Sequence, residues 1–291
     1  MLYLVGSIIL SSWLTLSFKV VEKFGLNNLQ VIVFNYVTCV ITGSVVNGSF
    51  PVNRSTLSEK WFPWALVMGT IFVLLFNIVA ATAQKLGVAV ASVAYKLSLV
   101  IPFIFSVYLY NEENTALKTI GIITALVAVV LTCYKPLTVS VRESSRLLIW
   151  LLPAILFIGS GLLDTMIKYV ERSFLDGANN DYYLITAFLV AALVGGTTLG
   201  ILAATKKEHL SWKGIVAGIA IGVPNYFSIW CLMRVLKLYS ANSSAIIPIN
   251  NMGIVLFSAV AALIFFREKL SVLNWTGIAL SLGAIALIAF G

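Results

Sequence analysis

Two ionisable side chains sit within the long apolar runs of this 291-residue chain, Lys96 and Asp164. A lysine held in hydrocarbon costs roughly 2.5–3.5 kcal/mol on insertion scales, so its presence asks for a partner. One partner is a carboxylate or phosphate, which makes the ammonium an anion anchor; another is the headgroup layer, reached by snorkelling. Lys96 lies eight residues beyond Val88, where its run begins, about 12 Å along a helix axis and approaching mid-depth. Asp164 could bind an amine, exchange a proton with a cavity or pair with Lys96. It could equally pair with Lys168 one helical turn on. Both charges in one cavity would suit a zwitterion such as an amino acid, its amine toward one and its carboxylate toward the other.

Amides and aromatic residues extend the candidate substrate site. Asn35, Tyr36, Asn77 and Tyr95 come from the first half; Asn225, Tyr226, Trp230, Asn250 and Asn251 come from the second. A side-chain amide in hydrocarbon needs a partner, either a neighbouring helix or a ligand. Pro102, Pro224 and Pro248 interrupt apolar runs; each removes a helix hydrogen bond and is expected to free the carbonyl of Ser98, Ala220 or Ser244. Gly214, Gly218 and Gly222 form a stripe that admits a close neighbour helix. Trp61, Trp64, Trp212 and Trp275 are expected to anchor span ends at the membrane interface. Nothing in the sequence suggests catalysis. The single histidine, His209, stands beside Lys207 and Glu208 without metal-ligand companions, and no nucleophile triad or phosphate-cradling glycine loop occurs. Cys39, Cys133 and Cys231 lie in separate runs, so no disulfide, metal site or cofactor is expected.

The elements that must position these residues are membrane helices. The chain is 60% hydrophobic and 10% charged, with a mean hydropathy of +1.01, far from the usage of soluble domains. A span needs about 20 apolar residues to cross a core of about 30 Å. Ten runs qualify: Leu2–Phe18, Val31–Val46, Phe62–Ala83, Val88–Tyr110 and Thr119–Tyr134, then Leu147–Ile167, Tyr182–Ala204, Gly214–Met233, Leu238–Phe266 and Leu270–Gly291. They are too long, and apolar on too many sides, for barrel strands. The first run lacks a basic leader and a cleavage site, so it reads as a retained span.

The second five runs repeat the first five. Phe18-Lys19-Val20-Val21-Glu22-Lys23 returns as Ile167-Lys168-Tyr169-Val170-Glu171-Arg172. Lys85-Leu86, Ser92 and Ser106 are answered 152 positions later by Lys237-Leu238, Ser244 and Ser258; after an insertion of four residues, Glu112 and Gly121 find Glu268 and Gly277. The expected fold is therefore all-α, with ten transmembrane helices as two five-helix repeats over residues 1–137 and 147–291. An odd number of spans per repeat makes the two copies cross in opposite senses, the usual build of secondary transporters. Glu112 and Glu268 close equivalent spans and are read as structural, as caps of a neighbouring helix or partners of nearby lysines, rather than as coupling residues. The net charge of +8 is scattered over connections, a membrane-protein pattern that argues against nucleic acid. Lys and Arg number 11 in odd-numbered connections and 7 in even ones, an excess that would put the odd connections in the cytoplasm and both termini opposite.

With these features the chain resembles the drug/metabolite transporter superfamily, in its EamA-type ten-helix form. The resemblance rests on Trp13 with Lys19 ending the first span, on Pro102 to Glu112 followed by Gly121, and on Phe266-Arg267-Glu268-Lys269-Leu270-Ser271 leading to Trp275-Thr276-Gly277. It departs where Glu112-Glu113 is followed by Asn114 in place of a basic residue. The resemblance implies a multi-pass protein of a bacterial inner membrane that exports a small polar metabolite, coupled to a proton or an exchanged solute, as a monomer or homodimer. Four-span relatives that expel cations carry a glutamate in the first span. Here Thr15 stands in that region, with Asp164 at the matching position of the sixth, which argues against cation export. The expected function is alternating-access transport of an amino acid or organic anion, Lys96 holding its anionic group at a site between the halves. A lipid-intermediate flippase is an alternative, as is a membrane enzyme or sensor, although an enzyme would need clustered His, Arg and acidic residues at one face.

Overall fold

The computed structural model describes the chain apart from residues 1, 51, 111–114, 134–142, 176–178, 206–209, 239–242 and 291. The described residues form eleven α-helices and one short 3-10 turn, with no strand among them. In order these are α1 (Leu2–Lys23), α2 (Asn28–Asn47), α3 (Phe62–Lys85), α4 (Val88–Leu97), α5 (Val100–Tyr110), α6 (Ala116–Cys133), α7 (Glu143–Phe174), α8 (Asn180–Ala204), α9 (Trp212–Leu238), α10 (Ser243–Phe266) and α11 (Val272–Phe290). Eight stretches are long and apolar enough to cross a membrane, Val88–Phe105 counting as one, and Ala116–Thr132 and Val272–Ile288 are shorter apolar helices. Length and apolarity are those of an all-α, multi-pass membrane protein.

The helices overrun the apolar runs that announce them. α1 continues from Phe18 to Lys23, and α7 has 32 residues, about 48 Å against a core of about 30 Å. Asp164, near the end of its apolar run, thus lies ten residues inside α7. The fourth run is broken between α4 and α5. Pro102 has no N–H to give the carbonyl of Ser98, yet that carbonyl is not freed as expected. The Ile101 N–H reaches it at 2.9 Å, tightening the chain into a 3-10-type turn, while the Ser98 hydroxyl donates to the Tyr95 carbonyl at 2.5 Å.

The contacts resolve into two compact units. One comprises Met1–Lys19, Ile78–Leu162 and Ser228–Gly291; the other comprises Val20–Asn77 and Leu163–Phe227. Each takes helices from both halves of the sequence.

In the first unit α6 packs on α11, α4 on α10, and α10 on α11. The core is Ala89, Val93 and Leu97 along one face of α4, Ala125 and Ala128 of α6, Val255 and Ala259 of α10, and Ile278, Ala284 and Ile285 of α11. On α6 small residues point inward and large ones outward: Ala125 is 0% exposed while Ile123 is 58% exposed. This polarity suits lipid, where exposed Ile and Leu carry no penalty and close backbone approach supplies the attraction. A Cβ on Gly121 would fall 2.8 Å from Ile288 and 3.1 Å from the Ala284 carbonyl; one on Gly277 would fall 2.6 Å from the Thr132 N and 3.0 Å from the Ala128 carbonyl. The start of α6 thus meets the end of α11, and the reverse, so the pair is antiparallel. These contacts are also reciprocal, because 277 less 121, 284 less 128 and 288 less 132 are all 156, the offset that maps Glu112 to Glu268. The first and fourth runs meet in the same crossed fashion: Ile8 of α1 packs on Gly253 of α10, and Ile101 of α5 on Gly161 of α7.

The start of α4 is fixed from a distance. Gly87 precedes it with φ +112°, a conformation open to glycine, and offers no side-chain cap. The carboxylate of Glu268 takes that place, accepting the Val88 N–H at 3.0 and 3.1 Å. The structural reading of Glu268 thereby gains its partner, whereas Glu112 falls outside the described residues.

In the second unit α2 packs on α8. Gly43 meets Ile185, and Gly195 meets Val33, again antiparallel. Again the pairs are reciprocal, since 195 less 43 and 185 less 33 are both 152. The glycine stripe of α9 lies against α2: Gly214 faces Gln30, Gly218 faces Phe34, and Gly222 faces Thr38. Gln30 seals that contact by donating to the Ser211 carbonyl at 2.8 Å and accepting the Ser211 N–H at 3.1 Å. Two aromatic residues part from expectation. Tyr36 is fully buried among Phe72, Phe76 and Phe188, its hydroxyl on the Phe72 carbonyl, so it is core and not site. Trp61 is 1% exposed with its ring edge on Tyr183, an internal wedge in place of an interface anchor; Trp212, 74% exposed, keeps the anchoring position.

The close approaches yield a prediction. Gly277→Val should destabilise the protein by about 1–3 kcal/mol through overpacking against the α6 backbone, read as a lower Tm in detergent. Gly200→Val, where a Cβ meets nothing within 4 Å, should leave Tm close to wild type.

Candidate functional site

Five of the nine predicted site residues belong to the first unit. Tyr95 and Lys96 are half-buried in the last turn of α4. Lys96 thus sits where a half-helix ends inside a span, and the helix macrodipole favours a cation at that C-terminal end. Its ammonium also lies 4.4 Å from the centre of the Tyr95 ring, a cation–π distance. These two features lower the cost of a charge at that depth. Trp230 of α9 carries the edge of the Tyr3 ring at a 5.7 Å centroid separation and the Arg234 guanidinium at 4.8 Å. Asn250 and Asn251 of α10 are 2% and 9% exposed, and the Asn250 Oδ1 has no hydrogen-bond partner. As neighbours on a helix they point about 100° apart, so they cannot serve one contact together.

Arg234 was legible in the sequence but misplaced by it. The apolar run stops at Met233, whereas α9 continues to Leu238. The i, i+4 spacing from Trp230 to Arg234, which stacks neighbours on a helix face, was the available signal.

The other four predicted residues belong to the second unit. Asn225 is 3% exposed, and its Nδ2 donates to Asn35 Oδ1 at 3.1 Å. The Asn35 Nδ2 is buried without a partner. Cys39, one turn along α2, directs its thiol to the Gly222 carbonyl at 3.4 Å. This is a polar seam between α2 and α9, beside the glycine stripe. Tyr226 is 5% exposed, with its ring against Gly43 and Phe227. Asn77 is half-buried and donates to the Val73 carbonyl of its own helix at 2.8 Å. Asp164 is half-buried within α7. Among the described residues Cys39 and Cys231 are free thiols, and His209 lies outside them.

A further set of polar atoms escaped the sequence reading because serine is common in membrane helices and carries no charge. In the first unit the hydroxyls of Ser7, Ser92, Ser160 and Ser258, with Asn250 Oδ1, are buried and lack a partner. They come from α1, α4, α7 and α10, the first and fourth runs of each half. A buried polar group left unpaired costs about 1–3 kcal/mol, so each of these asks for a partner such as an ordered water.

No family model matches the chain. An uncharacterized protein of Haemophilus influenzae is 24% identical over 287 residues, covering 97% of this chain and 95% of its own. A solved crystal structure of a protein with 17% identity superposes with a TM-score of 0.60, over 99% of this chain and 96% of the other. That likeness is one of fold, and it spans essentially the whole chain.

The Asn35–Asn225 bond can be weighed directly. A double-mutant cycle with Asn35→Ala and Asn225→Ala, read from reversible unfolding in mixed micelles, should return a coupling of about 0.6 kcal/mol, the average for such bonds in membrane bundles. A coupling indistinguishable from zero would remove the seam from the account of stability.

Proposed function

We propose that this protein is a secondary transporter of a small polar metabolite, an amino acid or organic anion, built from two inverted five-helix repeats. The observation that carries the inverted build is the reciprocity of the antiparallel contacts. Gly121 packs on Ile288 as Gly277 packs on Thr132, and Gly43 packs on Ile185 as Gly195 packs on Val33. Interchanging each residue with its repeat counterpart reproduces the contact, as a two-fold axis between two similar copies requires. An axis between antiparallel counterparts would lie in the membrane plane, the symmetry of alternating-access carriers. Same-rank pairing of α2 with α8, α4 with α10 and α6 with α11 supports the same reading.

The transport reading draws on two features of the first unit. Its first and fourth runs carry the buried polar atoms without protein partners, a composition suited to a wet path and costly in a dry bundle. Its fourth run breaks beside Lys96. In this reading the ammonium holds the anionic group of the substrate, beside the Tyr95 ring and the α4 terminus. The broken helix supplies a hinge at Ser98–Leu99. An inner-membrane location and export follow from the resemblance to EamA-type transporters. The alternative, a lipid-intermediate flippase, would instead present its anion anchor to a lipid-open groove.

Two experiments test this proposal. In proteoliposomes Lys96→Ala should raise KM for an anionic substrate about tenfold to a hundredfold, the worth of one charge-assisted contact, and Lys96→Arg should recover part of it. A folded Lys96→Ala protein that transports as wild type would discard the anchor. For the topology, single cysteines at Gly48 and Thr205, which follow the second run of each half, should differ in intact cells. A membrane-impermeant thiol reagent should label one and spare the other; equal labelling would sink the inverted arrangement.

A further inference from the structure

The first unit holds a cleft of about 410 Å³ whose lining includes three lysines, Lys19, Lys85 and Lys269, against a single carboxylate, Glu268. That carboxylate is already engaged as the cap of α4 through the Val88 N–H. The other polar groups of the wall are committed to the fold as well. Asn274 Oδ1 accepts from the Ser271 N–H and hydroxyl, its Nδ2 donates to the Thr132 carbonyl, and the Thr132 hydroxyl bonds the Ala128 carbonyl. Three ammonium groups against one carboxylate leave the lining net positive. Lys19 is pinned, donating to the Gln84 carbonyl at 2.7 Å, and a charge held in place binds an anion at a lower ordering cost.

The lysines come from different stretches of chain, which is why no basic run announces them. Lys19 follows the first apolar run, Lys85 the third and Lys269 the ninth. All three connections are odd-numbered, as they must be to meet at one face of a bundle whose helices alternate in direction. They belong to the set richer in Lys and Arg, which the positive-inside rule puts in the cytoplasm, beside the leaflet that carries anionic lipid. Beneath the charges the wall is apolar, with Leu86, Val90 and Leu270.

The geometry points to this cleft as a binding site for a phosphate group, carried either by an anionic phospholipid or by a soluble phosphorylated compound. Three ammonium groups match the several acceptor oxygens of a phosphate better than the two of a carboxylate, and the apolar floor takes the carbon skeleton attached to it. The site is separate from Lys96 and holds whether or not the chain transports.

The test uses the full-length protein in mild detergent, with binding read by native mass spectrometry and thermal shift. Phosphatidylglycerol is compared with phosphatidylcholine of the same acyl chains, and glycerol 3-phosphate with glycerol. Stabilisation by phosphatidylglycerol alone assigns the site to lipid; stabilisation by glycerol 3-phosphate assigns it to a soluble ligand. Lys85 and Lys269 are both exposed, so K85Q/K269Q spares the packing and should weaken binding about fivefold for each charge removed. Removing two exposed charges elsewhere, in K60Q/K213Q, should leave binding unchanged. Absence of any preference for the phosphate-bearing anion, or equal loss in both double variants, would overturn the assignment.

Discussion

A helix surrounded by lipid gains nothing from burying apolar surface against another helix, because hydrocarbon is as apolar as leucine. What holds such a bundle is close approach, and close approach needs small residues at the crossing. This constraint organises both units. Gly121 and Gly277 bring α6 and α11 together, Gly43 and Gly195 do so for α2 and α8, and Gly214, Gly218 and Gly222 seat α9 on α2. On α6 the large aliphatic side chains are turned out, where lipid can meet them at no cost. The glycines leave little tolerance, since several of their neighbours are backbone atoms that cannot swing away.

Polar groups obey the same constraint from the other side. Some are matched inside the bundle, as in the Gln30–Ser211 pair and the Asn35–Asn225 bond. Others are not: among the described residues, five buried atoms without a partner lie on α1, α4, α7 and α10 of the first unit and five lie in the second. The same first unit tolerates a lysine in a span by ending a helix beside it and laying a tyrosine ring against it.

The helices were largely legible in the sequence because the period and length of an apolar run are set by bilayer thickness. The errors lie at the ends. α7 outruns its apolar segment, and α9 carries Arg234 beyond it, since backbone hydrogen bonding continues into water after apolarity stops. Offsets of 152 and 156 relate similar segments of the two halves, and the same offsets reappear as spatial contacts. Partners were not legible. Nothing in the spelling of Glu268 says that it caps α4, or that Tyr36 and Trp61 are core, because each depends on which helix stands opposite. The fate of the Ser98 carbonyl was misjudged for a related reason: proline removes one donor, but the chain can tighten and offer another.

Reciprocal contacts have a consequence for ancestry. A residue that packs on the counterpart of its own neighbour makes the contact that two separate molecules of a half-length chain would make across their interface. Under the proposed inverted arrangement those molecules would have had to insert in opposite directions while sharing one sequence, and so could afford little charge asymmetry between their two faces. The modest imbalance of 11 basic residues against 7 is what fusion of such a dual-insertion dimer would leave behind, with direction fixed afterwards by drift of a few lysines.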